Sequence, residues 1–344
     1  MKKNKTIISN KANKRKTIHF IGAAIATILL PSMGSYTKGS ILLNKSMYRW
    51  RGNALGTDAS ILIEAEDEIT AKYIFKRCER EIARLENIFS LYLPTSALTR
   101  LNRDGEITNS PPELLELVSA CIRLGDLTNG AFDISIQRLW DLYAKHFSAK
   151  YLKHSGPNEK ELKTALELVD YKKINLTRHG ISFDNPGMSI TLNGIAPGYI
   201  TDKLTNLLQN YDITNALVDI GETRALGKKL SNRPWEIGIV QFENPQKFDR
   251  KIVLKGNKAV SSSSRHAMIF ETTGHNHHLF DRFSGKSAMY NNGVTVIAPT
   301  AALADALSTA FSVMPRDKAL SCFENISGVN VIISTLEGYP DVVR

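Results

Sequence analysis

Asp305 is the one charged side chain between Gly293 and Pro315, a stretch in which an apolar strand breaks at Pro299 and continues as a helix of small residues. Ser308 and Thr309 follow it at i+3 and i+4, a spacing that brings all three oxygens to one face of a helix. Such a set suits a hard cation such as Mg2+, which takes a carboxylate, another oxygen or two, and phosphate. An ionised carboxylate in a segment so poor in polar groups is costly to desolvate without a partner. The same residues also fit a buried aspartate satisfied by backbone amides, with Thr309 bonded to the preceding turn.

Four further stretches carry reactive side chains. In ITLNGIAPGYITD, residues 190–202, a glycine turn enters a helix whose free amides could face a phosphate. In VDIGETRALG, residues 218–227, Asp219 and Arg224 flank a glycine break, a pattern that a simple hairpin also explains. Ser261 to Ser264, with Arg265 and His266, offer hydroxyls and a cation after a strand. His275, His277 and His278 stand near Asp281, where alternation puts His275 and His277 on one face. Two histidines with a distant third ligand would make a zinc site, and a histidine beside an aspartate would make a general base.

The elements that must position these groups can be read from periodicity. Residues 47–65 read as two strands around a Gly-Thr break, and Ile74, Cys78, Ile82, Leu85 and Ile88 form the stripe of a helix from Asp67. Helices follow at Pro111–Leu127, at Glu159–Val169, from Pro197 to about Asn210, and from Asp317, and ISIQRLWDLYAKHF reads as an amphipathic segment. A short helical piece ends at Asn102, and residues 148–158 read as a surface loop. Strands are expected near Ile174, at Ile181–Phe183, Met188–Leu192, Ala216–Ile220, Trp235–Val240, Lys251–Leu254, Ala259–Ser261, Met268–Glu271 and Leu279, and in VNVIIS. This order is no regular βαβ alternation, so the expected class is α+β: one large domain of mixed or antiparallel sheets with helices packed on them.

Composition sets the outer bounds. With 42% hydrophobic and 23% charged residues the chain can build a large core. Of its 44 basic residues, seven (Lys2, Lys3, Lys5, Lys11, Lys14, Arg15, Lys16) precede position 36, where no acid occurs, so the body holds 37 bases against 34 acids and gives no case for nucleic acid. The basic head leads into the apolar run Ile18–Leu30 and then Pro31, the pattern of an export signal, with a retained N-terminal anchor as the alternative. Residues 1–35 are therefore set apart from a body of 36–344. Cys78, Cys121 and Cys322 have no metal-ligand spacing and read as buried thiols, one disulfide being the alternative.

Taken together and in order, the segments resemble the ApbE family of FAD:protein FMN transferases, and within it the NosX-like branch linked to periplasmic respiratory maturation. The resemblance is carried by Leu55-Gly56-Thr57, Phe89 to Tyr92 with Ser96 and Asn102, Gly130-Ala131-Phe132-Asp133, Asn193 to Asp202, Asp219 to Gly227, Ser261 to Ser263, His278 to Gly285 and Ala304 to Thr309. It implies that Asp305, Thr309 and the carbonyl of Gly194 ligate Mg2+, and that FAD touches Leu55, Tyr92, Ala131, Phe132 and Asp133 beside the turn from Thr191 to Pro197. It implies His278 near the reacting phosphate as base, and Asp281 supporting that loop. The implied reaction moves FMN from FAD to a Ser or Thr hydroxyl and releases AMP. The implied partner is a membrane-associated acceptor flavoprotein of a respiratory complex, and the implied place is the periplasm. A non-catalytic FAD-binding maturation protein and a periplasmic FAD pyrophosphatase are the alternatives. The chain departs from the family pattern in having Thr191 for aspartate, Pro197 for lysine, Asp281-Arg282-Phe283-Ser284-Gly285 for Asp-Pro-x-Thr-Gly, and Gly221 alone for a glycine pair.

Overall fold

Two strands, β1 (Ser46–Ala54) and β2 (Thr57–Ala65), begin the fold as an antiparallel hairpin closed by Leu55 and Gly56. Both turn residues have positive φ, +48° at Leu55 and +81° at Gly56, as a type I′ turn demands, and a leucine there is held at a conformational cost. The Glu86 carboxylate accepts from the Leu55 amide at 2.8 Å and fixes the turn. The computed structural model describes residues 45–148, 155–229, 232–244, 246–324, 326–337 and 340–343. The expected export segment, residues 1–35, lies outside the described residues, as does part of the 148–158 loop. Among the described residues no helix is long and apolar enough to cross a membrane.

The hairpin is one edge of an eight-stranded sheet in which every neighbouring pair is antiparallel. Numbered along the chain, it continues through β6 (Ala216–Asp219), β7 (Thr223–Leu226), β10 (Ala259–Ser264), β11 (Gly293–Ala298), β12 (Asn330–Ser334) and β13 (Pro340–Val343). A three-stranded sheet joins β3 (Glu106–Thr108), β5 (Gly180–Phe183) and β4 (Ile174–Leu176), and a hairpin pairs β8 (Trp235–Val240) with β9 (Phe248–Leu254).

Alternation along the strands sends the two faces of the large sheet to separate cores. Val218, Val294, Val296, Val331 and Ile333 face the main core, whereas Leu217, Ala225, Val260 and Ile332 face the β8–β9 hairpin and its buried Trp235. Against the main-core face lie α1 (Glu68–Phe89), α6 (Ala196–Asn210) and α7 (Ala301–Ser312). Helix α1 starts where the Asp67 carboxylate caps the Thr70 amide at 2.7 Å, and it buries the expected stripe from Ile74 to Ile88. Helices α2 (Ala97–Asp104) and α3 (Pro112–Leu127) complete that layer, while α4 (Gln137–Phe147) and α5 (Glu159–Leu166) form a smaller cluster around Tyr143 and Phe280. A last helix, α8 (Arg316–Phe323), precedes β12. The architecture is the expected α+β one.

Four local expectations need correction. Residues 188–192 join no sheet, because the Asn102 side chain takes both backbone bonds of Ile190, each at 2.8 Å. Met268–Glu271 and Leu279 are not strands; the segment between β10 and β11 holds only the isolated bridges Ile269–His277 and Phe280–Ser287. Helix α5 stops at Leu166 rather than Val169, where the chain turns so that the Tyr171 amide can reach Asp133 at 3.2 Å. The short strands β3 and β13 were not expected, since three or four residues carry too little periodicity to read. Cys78 and Cys121 are buried free thiols, and Cys322 is a half-buried free thiol.

Candidate active site

A cleft open at its mouth is lined from eight separate parts of the chain. The β1–β2 turn contributes Leu55 and Thr57, the α1–α2 connection Tyr92, and the start of α4 Ile136 and Trp140. The turn into α6 brings Thr191, Asn193, Gly194 and Pro197, and the β6–β7 turn brings Gly221 and Glu222. Ser262 to Ser264 at the end of β10, His278 from the following segment, and Asp305 and Thr309 on α7 close it.

The wall formed by α6 and α7 depends on two glycines. A Cβ on Gly198 would sit 2.4 Å from the Ala301 carbonyl oxygen, so only glycine lets the two helices approach this closely. That approach lets the Gly198 amide donate to Asp305 Oδ2 at 3.1 Å. A Cβ on Gly194 would lie 3.0 Å from Thr309 Oγ1, so the turn backbone runs directly against the threonine hydroxyl. Around them runs a hydroxyl chain: Ser308 Oγ lies 3.0 Å from Ser261 Oγ and 2.8 Å from Ser263 Oγ, which is 3.3 Å from Thr309 Oγ1. Ser308 also donates to the Asp305 carbonyl at 3.0 Å. The i, i+3, i+4 set therefore divides, with Ser308 bonded into the sheet while Asp305 and Thr309 face the cleft.

This wall is acidic. Asp305 is 3% exposed, and burial, aided by the nearby Asp202 charge, raises its pKa against the pull of the Gly198 amide. Glu222 is raised as well, by burial first and then by the charges of Asp305 and Asp219, while a hydrogen bond to Ser261 opposes the shift. Glu222 Oε2 is shut off from solvent with no hydrogen-bond partner. None of the described residues lining the cleft is a lysine or arginine. An oxygen-only set of Asp305, Thr309 and the Gly194 backbone, with an unbalanced buried carboxylate beside it, fits a hard divalent cation.

The segment between β10 and β11 carries two adjacent histidines in different circumstances. His277 is fully buried: Nε2 donates to the Ala288 carbonyl at 3.0 Å, and Nδ1 accepts from the Leu279 amide at 3.3 Å. Both ring nitrogens are spent, and burial, with the charges of His278 and Arg265 adding to it, pulls its pKa down to about 3. His278 lines the cleft and gives Nδ1 to the Met268 carbonyl at 3.1 Å. A carbonyl only accepts, so the proton sits on Nδ1 and Nε2 keeps its lone pair. Burial brings the His278 pKa down to about 4, which holds the ring neutral near pH 7. His275 is exposed while His277 is buried, and among the described residues no group of three His, Cys, Asp or Glu side chains could hold a metal; the zinc reading is not supported.

Eight of the expected site residues thus meet in one cleft: Leu55, Tyr92, Thr191, Gly194, Pro197, His278, Asp305 and Thr309. Four do not line it. Phe132 belongs to the main core. Asp133 is buried, where it accepts from Ser135 and Tyr171 and pairs with Arg282 at 3.1 Å. Ala131 and Asp281 line a separate surface hollow with Phe283 and Tyr290, and Asp281 caps its own loop through Phe283 N and Ser284 Oγ, each at 2.9 Å. Arg282, at a position where the family pattern has proline, ties the histidine segment to the start of α4 through Asp133 and reaches Asp170 at 3.7 Å.

Two acids went unread in the sequence. Asp202 pairs with Arg224 and accepts from the first-turn amides Ala301 and Ala302 at 2.8 and 2.9 Å, so that α6 caps α7. Arg224, which flanks the glycine break with Asp219, reaches Asp202. Glu222 sits in the β6–β7 turn, and only its place in the cleft marks it.

Comparison with known proteins finds matches over most of the chain. The ApbE family profile matches residues 55–333. A protein of Haemophilus influenzae named FAD:protein FMN transferase is 27% identical over 93% of this chain and 94% of its own length. One of the same name from Vibrio cholerae is 27% identical over 84% and 88%. Among solved structures, the ApbE protein of Thermotoga maritima superimposes with a TM-score of 0.78 at 29% identity, covering 87% of this chain and 97% of that one. The flavin transferase ApbE of Vibrio cholerae shares the fold with a TM-score of 0.73 at 22% identity, covering 87% and 97%.

Proposed function

The chain belongs to the ApbE family, and from that premise we propose that it is a Mg2+-dependent transferase that moves FMN from FAD to a Ser or Thr hydroxyl of an acceptor flavoprotein and releases AMP. The observation that carries the reading is the meeting, in one cleft, of the Asp305–Thr309–Gly194 oxygens with a neutral His278 whose Nε2 is free to accept a proton. Relatives bearing the name FAD:protein FMN transferase match almost end to end.

In this reading Asp305, Thr309 and the Gly194 carbonyl hold the cation, which when bound neutralises pyrophosphate charge and polarises the phosphorus under attack. A hydroxyl is a weak nucleophile until a base takes its proton. His278 Nε2 takes the proton of the acceptor oxygen, the new P–O bond forms at the flavin-side phosphate, and the pyrophosphate bond to AMP breaks. The Nδ1 bond to Met268 holds the ring and its tautomer through the step. Tyr92, 55% exposed, and Leu55 and Trp140 offer apolar surface to the flavin side of FAD.

The basic head and apolar run of residues 2–30 support export, and with it a periplasmic setting and a membrane-associated acceptor of a respiratory complex. The test is incubation with FAD, Mg2+ and candidate acceptors, with mass spectrometry for an FMN-sized addition and measurement of AMP. Addition with stoichiometric AMP supports the reading. AMP and FMN released without acceptor mark a pyrophosphatase, and bound flavin without AMP marks a binding protein; either sinks it.

A further inference from the structure

We infer that Glu222 is a second carboxylate facing the cation, so that this cleft takes up a divalent metal before any nucleotide enters. The inference rests on the proposed metal site and adds to it a residue from a different element.

Three independent observations carry it. Glu222 lines the cleft that Asp305 and Thr309 line, and its Oε2 is closed off from solvent without a hydrogen-bond partner. A buried carboxylate oxygen left in that state is costly unless a positive charge meets it. Its backbone is also held in place. Thr201 Oγ1 of α6 donates to the Glu222 carbonyl at 3.1 Å, and the Ile220 amide donates to the same oxygen at 3.2 Å. The same helix supplies the Gly198 amide that fixes Asp305, so both acids are registered against α6.

The third observation is the absence of a resident counter-charge. No described lining residue is a lysine or arginine, and Arg224, two positions on from Glu222, is occupied by Asp202. The cleft therefore presents two carboxyl groups and no fixed cation, so nothing on its described lining neutralises a pyrophosphate until a divalent ion is present. Two carboxylates, a threonine hydroxyl and a main-chain carbonyl form a donor set for a hard ion without help from phosphate.

The experiment titrates the full-length, nucleotide-free protein with Mn2+ and follows free Mn2+ by electron paramagnetic resonance, with thermal melts in parallel. Wild type is expected to bind one ion and to melt higher with it. Glu222→Gln, nearly the same shape, is expected to weaken binding at least about tenfold, equivalent to about 1.4 kcal/mol, and Glu222→Asp is expected to weaken it less. Without metal, Glu222→Gln is expected to melt at or above the wild-type temperature, because a buried repulsion is removed. Mn2+ affinity within twofold of wild type in Glu222→Gln overturns the inference, as does a lowered metal-free melt with unchanged affinity, the mark of a purely structural acid. Asp305→Asn separates the two levels. If it abolishes binding while Glu222→Gln does not, only the role of Glu222 fails. If neither variant affects binding, the metal reading of the cleft fails with it.

Discussion

The two long walls of the cleft are built by opposite means. On one side Asp305 and Thr309 project from a regular helix, held to α6 by a glycine contact and capped by Asp202. On the other, His277 and His278 stand in the segment between β10 and β11, where isolated bridges replace a ladder. The first wall takes its geometry from helical periodicity, and one substitution there removes a charge without moving the backbone. The second takes its geometry from side chains bonded to distant carbonyls: His277 to Ala288, His278 to Met268, Arg282 to Asp133. Losing one of those bonds disturbs the shape of the wall as well as its chemistry. In the proposed reading, metal chemistry falls on the stiff wall and proton transfer on the one whose order is tertiary.

That contrast can be broken by mutation. The largest effect is expected from Asp305→Asn, with FMN transfer down by about 10³-fold or more and no rise of the melting temperature on adding Mg2+, while the fold persists. A variant still stabilised by Mg2+ as much as wild type would remove Asp305 from the metal site. His278→Gln is expected to lower the transfer rate by about 10²- to 10⁴-fold yet keep the full Mg2+-induced rise in melting temperature, which paired kinetics and melts will show. Parallel loss of both would mean that the walls are not separable.

Arg282→Ala acts on shape. It leaves Asp133 buried without its cation, and we expect unfolding free energy to fall by about 3–5 kcal/mol in urea titrations. An effect below about 1 kcal/mol would show that the histidine wall does not depend on that pair.

The smallest effect concerns pH. The folded pKa values of His277 and His278 lie near 3 and 4, below the ordinary value of 6.5. As pH falls through 6.5 the unfolded chain takes up protons that the folded one refuses, so stability is whole above that value. It is then lost at up to about 1.4 kcal/mol per pH unit for each ring as the folded values are approached. Arg265 and His266 also act on His277, which makes its charging harder still. Urea unfolding from pH 7.5 to 5 checks the slope, and stability that stays level or rises over that range would contradict it. His278 should remain a competent base down to about pH 5, so the acid limb of the transfer rate is expected to stay flat there.

Much of the first wall was legible in the sequence. An i, i+3, i+4 set on an apolar helix and a glycine turn before a proline-started helix are local patterns, and both appear where expected. The class of fold followed from the order of elements, and the paired strands of residues 47–65 from alternation around Leu55-Gly56. The histidine wall was misread as strands because its apolar residues alternate like a strand, while the bonds that hold it come from residues far away in the chain. Asn102 in place of a strand partner for Ile190, and Asp202 as the partner of Arg224, are choices of the same kind.

Sequence alone thus determined which residue types stand on which face of each helix and strand, since periodicity is set by backbone geometry within a few residues. It determined Asp305 and Thr309 as a pair. Tertiary structure decided what faced that pair: a glutamate from a hairpin turn, a histidine with one free nitrogen, and no lysine or arginine among the described lining residues. The reason is physical, because desolvation and charge balance depend on every group brought within a few ångströms, whatever its separation along the chain.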